Sequence, residues 1–268
     1  MKKAIINIFF LLAICLQVSA QNEEEQTITV PLSNPNAPSK LKLHQVSGSI
    51  SVTGHNGNNV IVKASTEQNN DSKIEKQNGM FRIPNNAYNL SVIEKENEIN
   101  ISSGSPNKAI NYKIMVPTQC SLNLHTVNNG DIYVENVEGE IETNNVNGKI
   151  ELKNISGAVV ASTINGKVEV VFTKINEEVP MAFSSLNGKI DVTFPANLKA
   201  TAKIRNERGE IYSDFEMELK KTEPLVEKDE GNNYKKYSID KWVYGKINGG
   251  GPEFLFKNMN GNIYIRKQ

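Results

Sequence analysis

Lysines and carboxylates recur together at a fixed spacing in the central part of this sequence. In three places a lysine is followed two residues later by an acid: Lys149 with Glu151, Lys167 with Glu169, and Lys189 with Asp191. Side chains two residues apart on a β-strand point to the same face, so both members of each pair are expected on one surface. That surface is either a solvated face with weak ion pairs or a docking column of the three lysines for a repetitive polymer such as a glycan.

Residue types that serve catalysis or metal binding are otherwise scattered through the chain. The three histidines, His44, His55 and His125, have no cysteine or histidine partner at metal-ligand spacing. The glycines at 249–251 lack the Lys-Ser/Thr of a phosphate-binding loop and predict a sharp bend. A polysaccharide-cleaving β-helix enzyme concentrates its acids in one groove, whereas the acids here are spread in regular columns. We therefore predict no catalytic, cofactor-binding or metal-binding residues and no enzyme activity.

The lysine–acid pairs belong to a repeated phrase. A small polar pair and one apolar residue precede Asn-Gly-Lys, and an alternating tail follows, at residues 144–152, 162–170 and 184–192, with a degenerate copy at 258–265. The glycines Gly148, Gly166 and Gly188 are 18 and 22 residues apart. A short fixed period of this kind is typical of stacked repeat architectures.

The position of the glycine within the repeat can be interpreted in two ways. An Asn-Gly hairpin turn would give an antiparallel stacked β-meander. A strand that continues through Gly148 would instead place Val146, Gly148 and Ile150 on one apolar inner face. Because the equivalent positions of the other copies are also apolar or glycine, we predict that the glycine lies inside a strand. The turns are then predicted nine residues apart, at 135–136, 144–145, 153–154 and 162–163.

These patterns predict an all-β protein. Apolar residues alternate with a period of two, and Asn, Gly, Thr, Ile and Val dominate, so no helix is expected. Two half-coils, each of about seven strand residues and two corner residues, make one coil, and parallel strands would stack about 4.8 Å apart. The predicted fold is a β-solenoid with coils of about 18–22 residues, and the alternative is the antiparallel stacked β-meander.

The N-terminus has the pattern of an export signal. Residues 1–20 contain two lysines, an apolar run at 5–16 and a small-residue cleavage motif at 18–20. A lipoprotein would use Cys15, but the preceding Ile14 is bulky, so we predict a soluble exported chain. We expect this chain in the periplasm or at the cell surface, with no transmembrane segment after cleavage.

The rest of the chain is predicted to form one domain. Residues 21–40 are a leader with a capping strand, and 41–268 are a single β-strand-repeat domain with an irregular insertion at about 66–109. Strands at 27–30 and 263–265 are expected to cap the two ends of the stack. Covered ends discourage edge-to-edge association, so we predict a monomer.

Composition restricts the class of partner. The 30 lysines and arginines balance 30 acids, and loss of residues 1–20 removes two lysines and no acid. Such a chain has no basic footprint for nucleic acid, and its aromatic share of 7% is low for base stacking. Without Cys15, Cys120 is the one remaining cysteine, so no intrachain disulfide can form; we expect it to be a packed apolar residue.

Several phrases in a fixed order resemble a known family. They lie at 46–52, at 112–117, in the Gly-x-Ile phrases from Gly130 to Gly188, and at 192–195, 249–251 and 260–265. Over residues 27–268 the chain resembles the bacterial putative-adhesin domains, adhesin-like β-solenoid domains of unknown function. The resemblance implies an exported, non-enzymatic envelope or surface protein for adhesion or scaffolding, with no catalytic residues to carry over. A glycan-binding module is the alternative, and a polysaccharide-cleaving enzyme is less favoured. The expected partner is an envelope polysaccharide or another surface protein.

Overall fold

Secondary structure is β throughout the part of the chain that the structure describes. The structure is a computed structural model that describes residues 26–66, 76–77, 80–81, 89–104, 108–220, 225–229, 234–238 and 242–268. The predicted signal peptide and part of the predicted insertion lie outside these residues. The strands are β1 (Gln26–Pro31), β2 (Ser39–His44), β3 (Ile50–His55), β4 (Asn59–Thr66), β5 (Lys76–Gln77), β6 (Met80–Phe81), β7 (Leu90–Lys95), β8 (Glu98–Ser103), β9 (Ile110–Pro117), β10 (Cys120–Thr126), β11 (Ile132–Glu135), β12 (Glu138–Asn147), β13 (Ile150–Asn165), β14 (Val168–Ile175), β15 (Met181–Asn187), β16 (Ile190–Phe194), β17 (Ala200–Arg208), β18 (Ile211–Ser213), β19 (Glu218–Leu219), β20 (Leu225–Asp229), β21 (Tyr234–Ser238), β22 (Val243–Ile247), β23 (Glu253–Asn260) and β24 (Ile263–Lys267).

Twenty of these strands form one sheet that winds into a solenoid. Each rung has one strand on a first face and the next strand on a second face. The first face is the parallel series β8, β2, β10, β12, the C-terminal part of β13, β15, β23 and β17. The second face is β9, β3, β11, the N-terminal part of β13, β14, β16, β24 and β18. The prediction of a β-solenoid is confirmed.

Among the described residues, antiparallel pairing occurs only at the ends of the stack and in two separate hairpins. The edge strand β1 pairs with β4, β4 with β9, and β7 with β8 at one end. At the other end β22 pairs with β17 and β19. The hairpins β5–β6 and β20–β21 each form a two-stranded sheet of their own.

The rungs do not stack in chain order. The rung β2–β3 lies between β8–β9 and β10–β11. The rung β23–β24 lies between β15–β16 and β17–β18. The prediction that the strand at 263–265 caps the stack is therefore wrong, because Ile263 pairs with Ile190 on one side and Ile211 on the other.

The space between the two faces is filled by inward-pointing apolar side chains. In the C-terminal half of the stack this interior contains aromatic pairs: the rings of Phe172 and Phe194 stack at 5.2 Å, as do those of Phe183 and Phe256. All four are buried, and each such pair contributes about 0.5–1.5 kcal/mol beyond its buried area. Cys120 is buried as well, and burial raises the pKa of its thiol to about 11. The core therefore runs along the whole stack and fixes the positions of the outward residues.

Candidate functional site

The Asn-Gly-Lys phrase forms the corner between the two faces. β12 ends at Asn147 and β13 begins at Ile150, so Gly148 lies in the corner itself. The prediction that Gly148 lies inside a strand is wrong. The turns placed at 144–145 and 162–163 are also wrong, because these residues lie within β12 and β13.

The corner reverses the predicted inward and outward positions before the glycine. Asn145 is buried whereas Val146 is only half-buried, and in the next rung Thr163 is buried whereas Ile164 is 42% exposed. The inward residues on the two sides of one corner, Asn145 and Ile150, are an odd number of positions apart. Strict alternation therefore breaks at the corner, so Val146, Gly148 and Ile150 do not share the predicted inner face.

A second set of corners uses asparagine in the left-handed conformation. Asn136 and Asn154 have φ angles of 58° and 53°, a region that asparagine tolerates better than most residues. Asn136 lies between β11 and β12, so the turn predicted at 135–136 is present. At Asn154 the chain passes from the second face to the first within β13.

Six glycine corners are tied to a neighbouring rung by a polar side chain, which is buried in five of them and half-buried at Asn206. A polar residue just before the corner donates a hydrogen bond to the carbonyl oxygen of the glycine in the adjacent rung, over 2.9–3.0 Å. It lies three positions before its own corner glycine in five cases and four positions before it at Thr126. These pairs are Thr126 to Gly48, Asn145 to Gly130, Thr163 to Gly148, Ser185 to Gly166, Asn258 to Gly188 and Asn206 to Gly261. A buried carbonyl without a partner is costly, so the polar residue of the phrase has a structural role.

Glycine is required because successive corners approach closely. A Cβ atom on Gly166 would lie 2.1 Å from the carbonyl oxygen of Gly148, and one on Gly148 would lie 2.0 Å from that of Gly130. Real Cβ atoms do not approach backbone oxygens so closely. The spacing of the glycines in the sequence therefore corresponds to the length of one rung.

A ladder of asparagine amides follows the same edge on the outside. The Nδ2 group of each asparagine donates to the Oδ1 atom of its neighbour over 2.7–3.0 Å. The ladder consists of Asn128, Asn147, Asn165, Asn187 and Asn260. Side-chain amides that bond along the stacking direction hold neighbouring rungs in register, as in other in-register β-stacks.

The three lysines predicted as a docking column occupy equivalent positions on successive rungs. Lys149, Lys167 and Lys189 each directly precede the first strand residue on the second face, and those strand residues, Ile150, Val168 and Ile190, are in register. The structure thus places the lysines in one column along the edge of the second face.

Acids in the adjacent column pair with these lysines and link the rungs. Lys149 lies 3.0 Å from Glu151, and Lys167 pairs with Glu169. Lys189 bridges two rungs, because its Nζ atom lies 2.6 Å from Glu169 and 3.1 Å from Asp191.

Arg266 continues this ionic ladder into the next rung. Its Nε atom lies 2.6 Å from Oδ1 of Asp191 and its Nη2 atom donates to Oδ2 at 3.2 Å. Arg266 could not be predicted as a member of the ladder, because it is 75 residues away in the chain from Asp191 and no local pattern indicates which rungs are neighbours.

The pairing shifts the ionisation of the ladder toward the charged forms. Hydrogen bonds from Lys153 and then Lys149 lower the pKa of Glu151 to about 2, against the opposing effect of burial. The hydrogen bond to Glu169 raises the pKa of Lys189 above its usual range. The lysine column is therefore charged but neutralised by its own acids, and its potential is weaker than the sequence alone indicates.

The histidines lie apart from this ladder. His44 and His125 are neighbours on the first face, with ring centroids 5.8 Å apart, and a ring nitrogen of His44 lies 2.7 Å from Asn123 Oδ1. His55 hydrogen-bonds to the carbonyl of Asn59. Among the described residues no three or more histidine, cysteine, aspartate or glutamate side chains are grouped so that they could hold a metal ion. The glycines at 249–251 lie in the connection between β22 and β23, where Gly249 and Gly250 have φ angles of 84° and 88°.

A family model identifies the family to which the chain belongs. The model described as Toastrack DUF4097 matches residues 2–242. The chain belongs to this family. The resemblance inferred from the repeated phrases is thereby confirmed, although the matched range ends before β23–β24, the rung that lies inside the Toastrack stack.

Two solved structures are similar to this Toastrack chain. A putative cell adhesion protein from Clostridium sporogenes ATCC 15579 is 15% identical, with a TM-score of 0.50 over 91% of this chain and 99% of that one. A putative adhesin from Bacteroides fragilis NCTC 9343 is 14% identical, with a TM-score of 0.44 over 91% and 98% of the two chains. The first likeness shows a shared fold. No curated protein matches the Toastrack chain in sequence, and no helix among its described residues is long and apolar enough to cross a membrane.

Proposed function

We propose that this protein is an exported, non-enzymatic module of the cell envelope or cell surface that serves adhesion or scaffolding. The observation that carries the proposal is the display of outward side chains in fixed columns over eight stacked rungs. A surface whose backbone is already ordered loses little conformational entropy when it binds a partner. Membership of the Toastrack family and the adhesion name of the similar Clostridium structure support the same function.

Cell fractionation and a deletion strain test this function. The tagged chain is expected in the envelope fraction of its native cells, and protease added to intact cells is expected to remove it if it is displayed at the surface. Deletion of the coding sequence is expected to reduce attachment of cells to surfaces or to each other, and re-expression is expected to restore attachment. Retention in the cytoplasm, or unchanged attachment together with unchanged envelope composition, would contradict the proposal.

Glycan binding at the second face is the second candidate, and one observation favours it. Tyr212 is 50% exposed and stacks on Tyr264 at a centroid distance of 5.2 Å, with the guanidinium of Arg266 4.9 Å from the Tyr264 ring. A fixed aromatic surface beside hydrogen-bonding groups suits the apolar face and hydroxyls of a sugar ring. Asp191 connects this pair to the lysine column through its contacts with Arg266 and Lys189.

Affinity electrophoresis through gels that contain envelope polysaccharides tests this candidate. The triple substitution Lys149→Ser, Lys167→Ser and Lys189→Ser is expected to abolish retention while circular dichroism shows an intact fold, with only a small decrease in melting temperature because the ion pairs are partly solvated. A matched control replaces three exposed lysines elsewhere, Lys113, Lys174 and Lys220, by serine. Equal retention of both variants would refute glycan docking on the lysine column, and release of shortened polysaccharide during incubation would refute the non-enzymatic assignment.

A further inference from the structure

The outer surface of the first face carries a contiguous apolar patch. Four large aliphatic side chains on three neighbouring strands are 41–43% exposed: Val160, Ile164, Leu186 and Met259. Ala182 and Leu255 lie between them and are half-buried. Contiguous exposed apolar groups of this kind mark interaction surfaces.

Opposite charges border this patch at equal distances from its centre. One outward column runs through five strands in register, from Glu142 on β12 through Val160, Ala182 and Leu255 to Lys203 on β17. Ala182 on β15 is the middle residue, two strands from each charged end. The Glu142 side chain is exposed and accepts a hydrogen bond from Asn123 at 2.9 Å.

The basic end is held in place by its surroundings. The Nζ atom of Lys203 lies 3.6 Å from Glu253, which offsets part of its charge, and 5.2 Å from the centre of the Trp242 ring. Beside it on β17, Arg205 pairs with Glu207 at 2.6 Å, which neutralises that acid. Lys257, in the middle column, is exposed and adds positive charge on the same side of Ala182. The patch is therefore acidic at one end and basic at the other.

This arrangement is self-complementary. A two-fold axis that runs parallel to β15 over the patch reverses the order of the strands and keeps the position along each strand. It places Glu142 of one copy opposite Lys203 of a second copy, and the converse contact forms at the other end. The same operation places Val160 opposite Leu255, and Ile164 opposite Met259.

We propose that this patch is an isologous interface between two copies of this chain. An isologous interface uses the same surface on both subunits, and a column with opposite charges at equal distances from one residue satisfies that condition. The proposal replaces the monomer that the sequence predicts, and it goes beyond the adhesion or scaffold function, since a dimer can form whatever partner the protein binds.

The size of the patch predicts a weak dimer. Five strands about 4.8 Å apart and five residues along each strand give an area of roughly 20 Å by 15 Å. That is below the about 800 Å² per partner of a standard stable interface. Association is therefore expected to depend on protein concentration, and charges at the border are expected to set its register and salt dependence.

Sedimentation velocity over a range of protein concentrations up to millimolar tests the proposal. The purified chain is expected to show a reversible monomer–dimer equilibrium. Glu142→Lys and Lys203→Glu are each expected to raise the dissociation constant about tenfold or more, because each creates two like-charged pairs across the axis. The double substitution restores opposite charges and is expected to return the dissociation constant to within about threefold of the wild-type value.

Two controls make the result decisive. Lys113→Glu and Glu135→Lys change exposed charges on β9 and β11 of the second face and are expected to leave the equilibrium unchanged. Leu186 lies on β15 and therefore faces Leu186 of the second copy across the axis. Leu186→Lys places two positive charges together and is expected to abolish the dimer while circular dichroism shows an intact fold. A wild-type chain that stays monomeric, a dimer that ignores these substitutions, or a double variant that fails to recover would each overturn the proposal.

Discussion

Thr163 donates its hydroxyl hydrogen to the carbonyl oxygen of Gly148, one rung away, over 2.9 Å. Thr163 is only 3% exposed, so water does not compete for this bond. The same contact recurs at five further corners, with threonine, serine or asparagine as the donor. The small polar residue and the glycine of the repeated phrase are thus two halves of one contact between neighbouring rungs.

Replacement of Thr163 by valine removes this contact while keeping the shape of the side chain. The carbonyl of Gly148 would then lack this donor inside the protein, and the free energy of unfolding is expected to fall by about 1–3 kcal/mol. Urea denaturation followed by circular dichroism measures the change. Thr193→Val, at an outward position of β16, is the matched control and is expected to stay within about 0.5 kcal/mol of wild type; equal effects at both sites would contradict the role of Thr163.

Substitution of a corner glycine is expected to be more damaging. In Gly166→Ala the new Cβ atom meets the backbone oxygen and carbon of Gly148 at 2.1 Å and 2.5 Å, so two rungs must separate. We expect a loss of about 3 kcal/mol or more in the free energy of unfolding.

Gly249→Ala separates this packing effect from backbone strain. Gly249 has a φ of 84°, but a Cβ atom at this position would have no other atom within 4 Å. The free energy of unfolding is therefore expected to fall by only about 1–2 kcal/mol. If thermal or urea denaturation finds the two alanine variants equally stable, the close approach of stacked corners does not limit stability.

The repeat predicted the class of fold, but not the geometry of its corners. The period of the glycines and the alternation in segments such as 150–152 are local properties of the chain, so they predicted stacked β-rungs. The predicted corner was wrong because Val146 was expected to be buried, whereas Asn145 is buried instead. Burial of an asparagine is explained by its hydrogen bond to Gly130 in another rung, which no local pattern shows. The polar residue that lies three positions before five of the corner glycines was the signal that could have identified the corner.

The ionic ladder predicts a loss of stability in acid. The pKa of Glu151 is about 2 in the folded protein because Lys153 and Lys149 donate hydrogen bonds to its carboxylate, and it returns to about 4.3 on unfolding. A lowered folded pKa stabilises the protein above the unfolded pKa, and this contribution is lost as the pH falls from about 4.5 to about 2.

Glu151→Gln removes this titration. Urea denaturation at pH 7 and pH 3 is expected to show a smaller decrease in the free energy of unfolding for the variant, by about 1 kcal/mol or less because the pair is partly solvated. Addition of about 0.5 M salt is expected to narrow the difference. An identical pH dependence of both proteins would show that Glu151 contributes nothing to acid stability.

Cys120 is expected to report on opening of the stack. Its side chain is buried and its thiol pKa is raised to about 11, so the reactive thiolate is scarce in the folded protein at neutral pH. In the chain without residues 1–20, a maleimide is expected to label Cys120 slowly in buffer and rapidly in urea, with the same midpoint as the loss of circular dichroism. Rapid labelling of the folded chain would contradict its place in the core.

Removal of β23–β24, the last rung in the chain, is expected to disrupt the fold more than removal of the first strand, β1. Deletion of 253–268 takes away the strands that separate β15–β16 from β17–β18, and it leaves edges on both sides of the gap unpaired. We expect loss of cooperative unfolding in urea and association through the open edges. Deletion of 21–31 removes only the edge strand β1 and is expected to preserve a cooperative transition; the reverse order of damage would contradict the stacking order.

The interleaved order of the rungs also has a consequence for the time course of folding. During synthesis from the N-terminus, β17–β18 cannot reach its final neighbours until β23–β24 has been made. Likewise, Asp191 cannot pair with Arg266 until 75 more residues have been added. Contacts between residues so far apart in the chain slow folding. In the finished stack, the first and last rungs in the chain, β2–β3 and β23–β24, cannot open alone, because each is paired with a neighbouring rung on both sides. Slow folding and slow unfolding are therefore both expected from the interleaved order of the rungs.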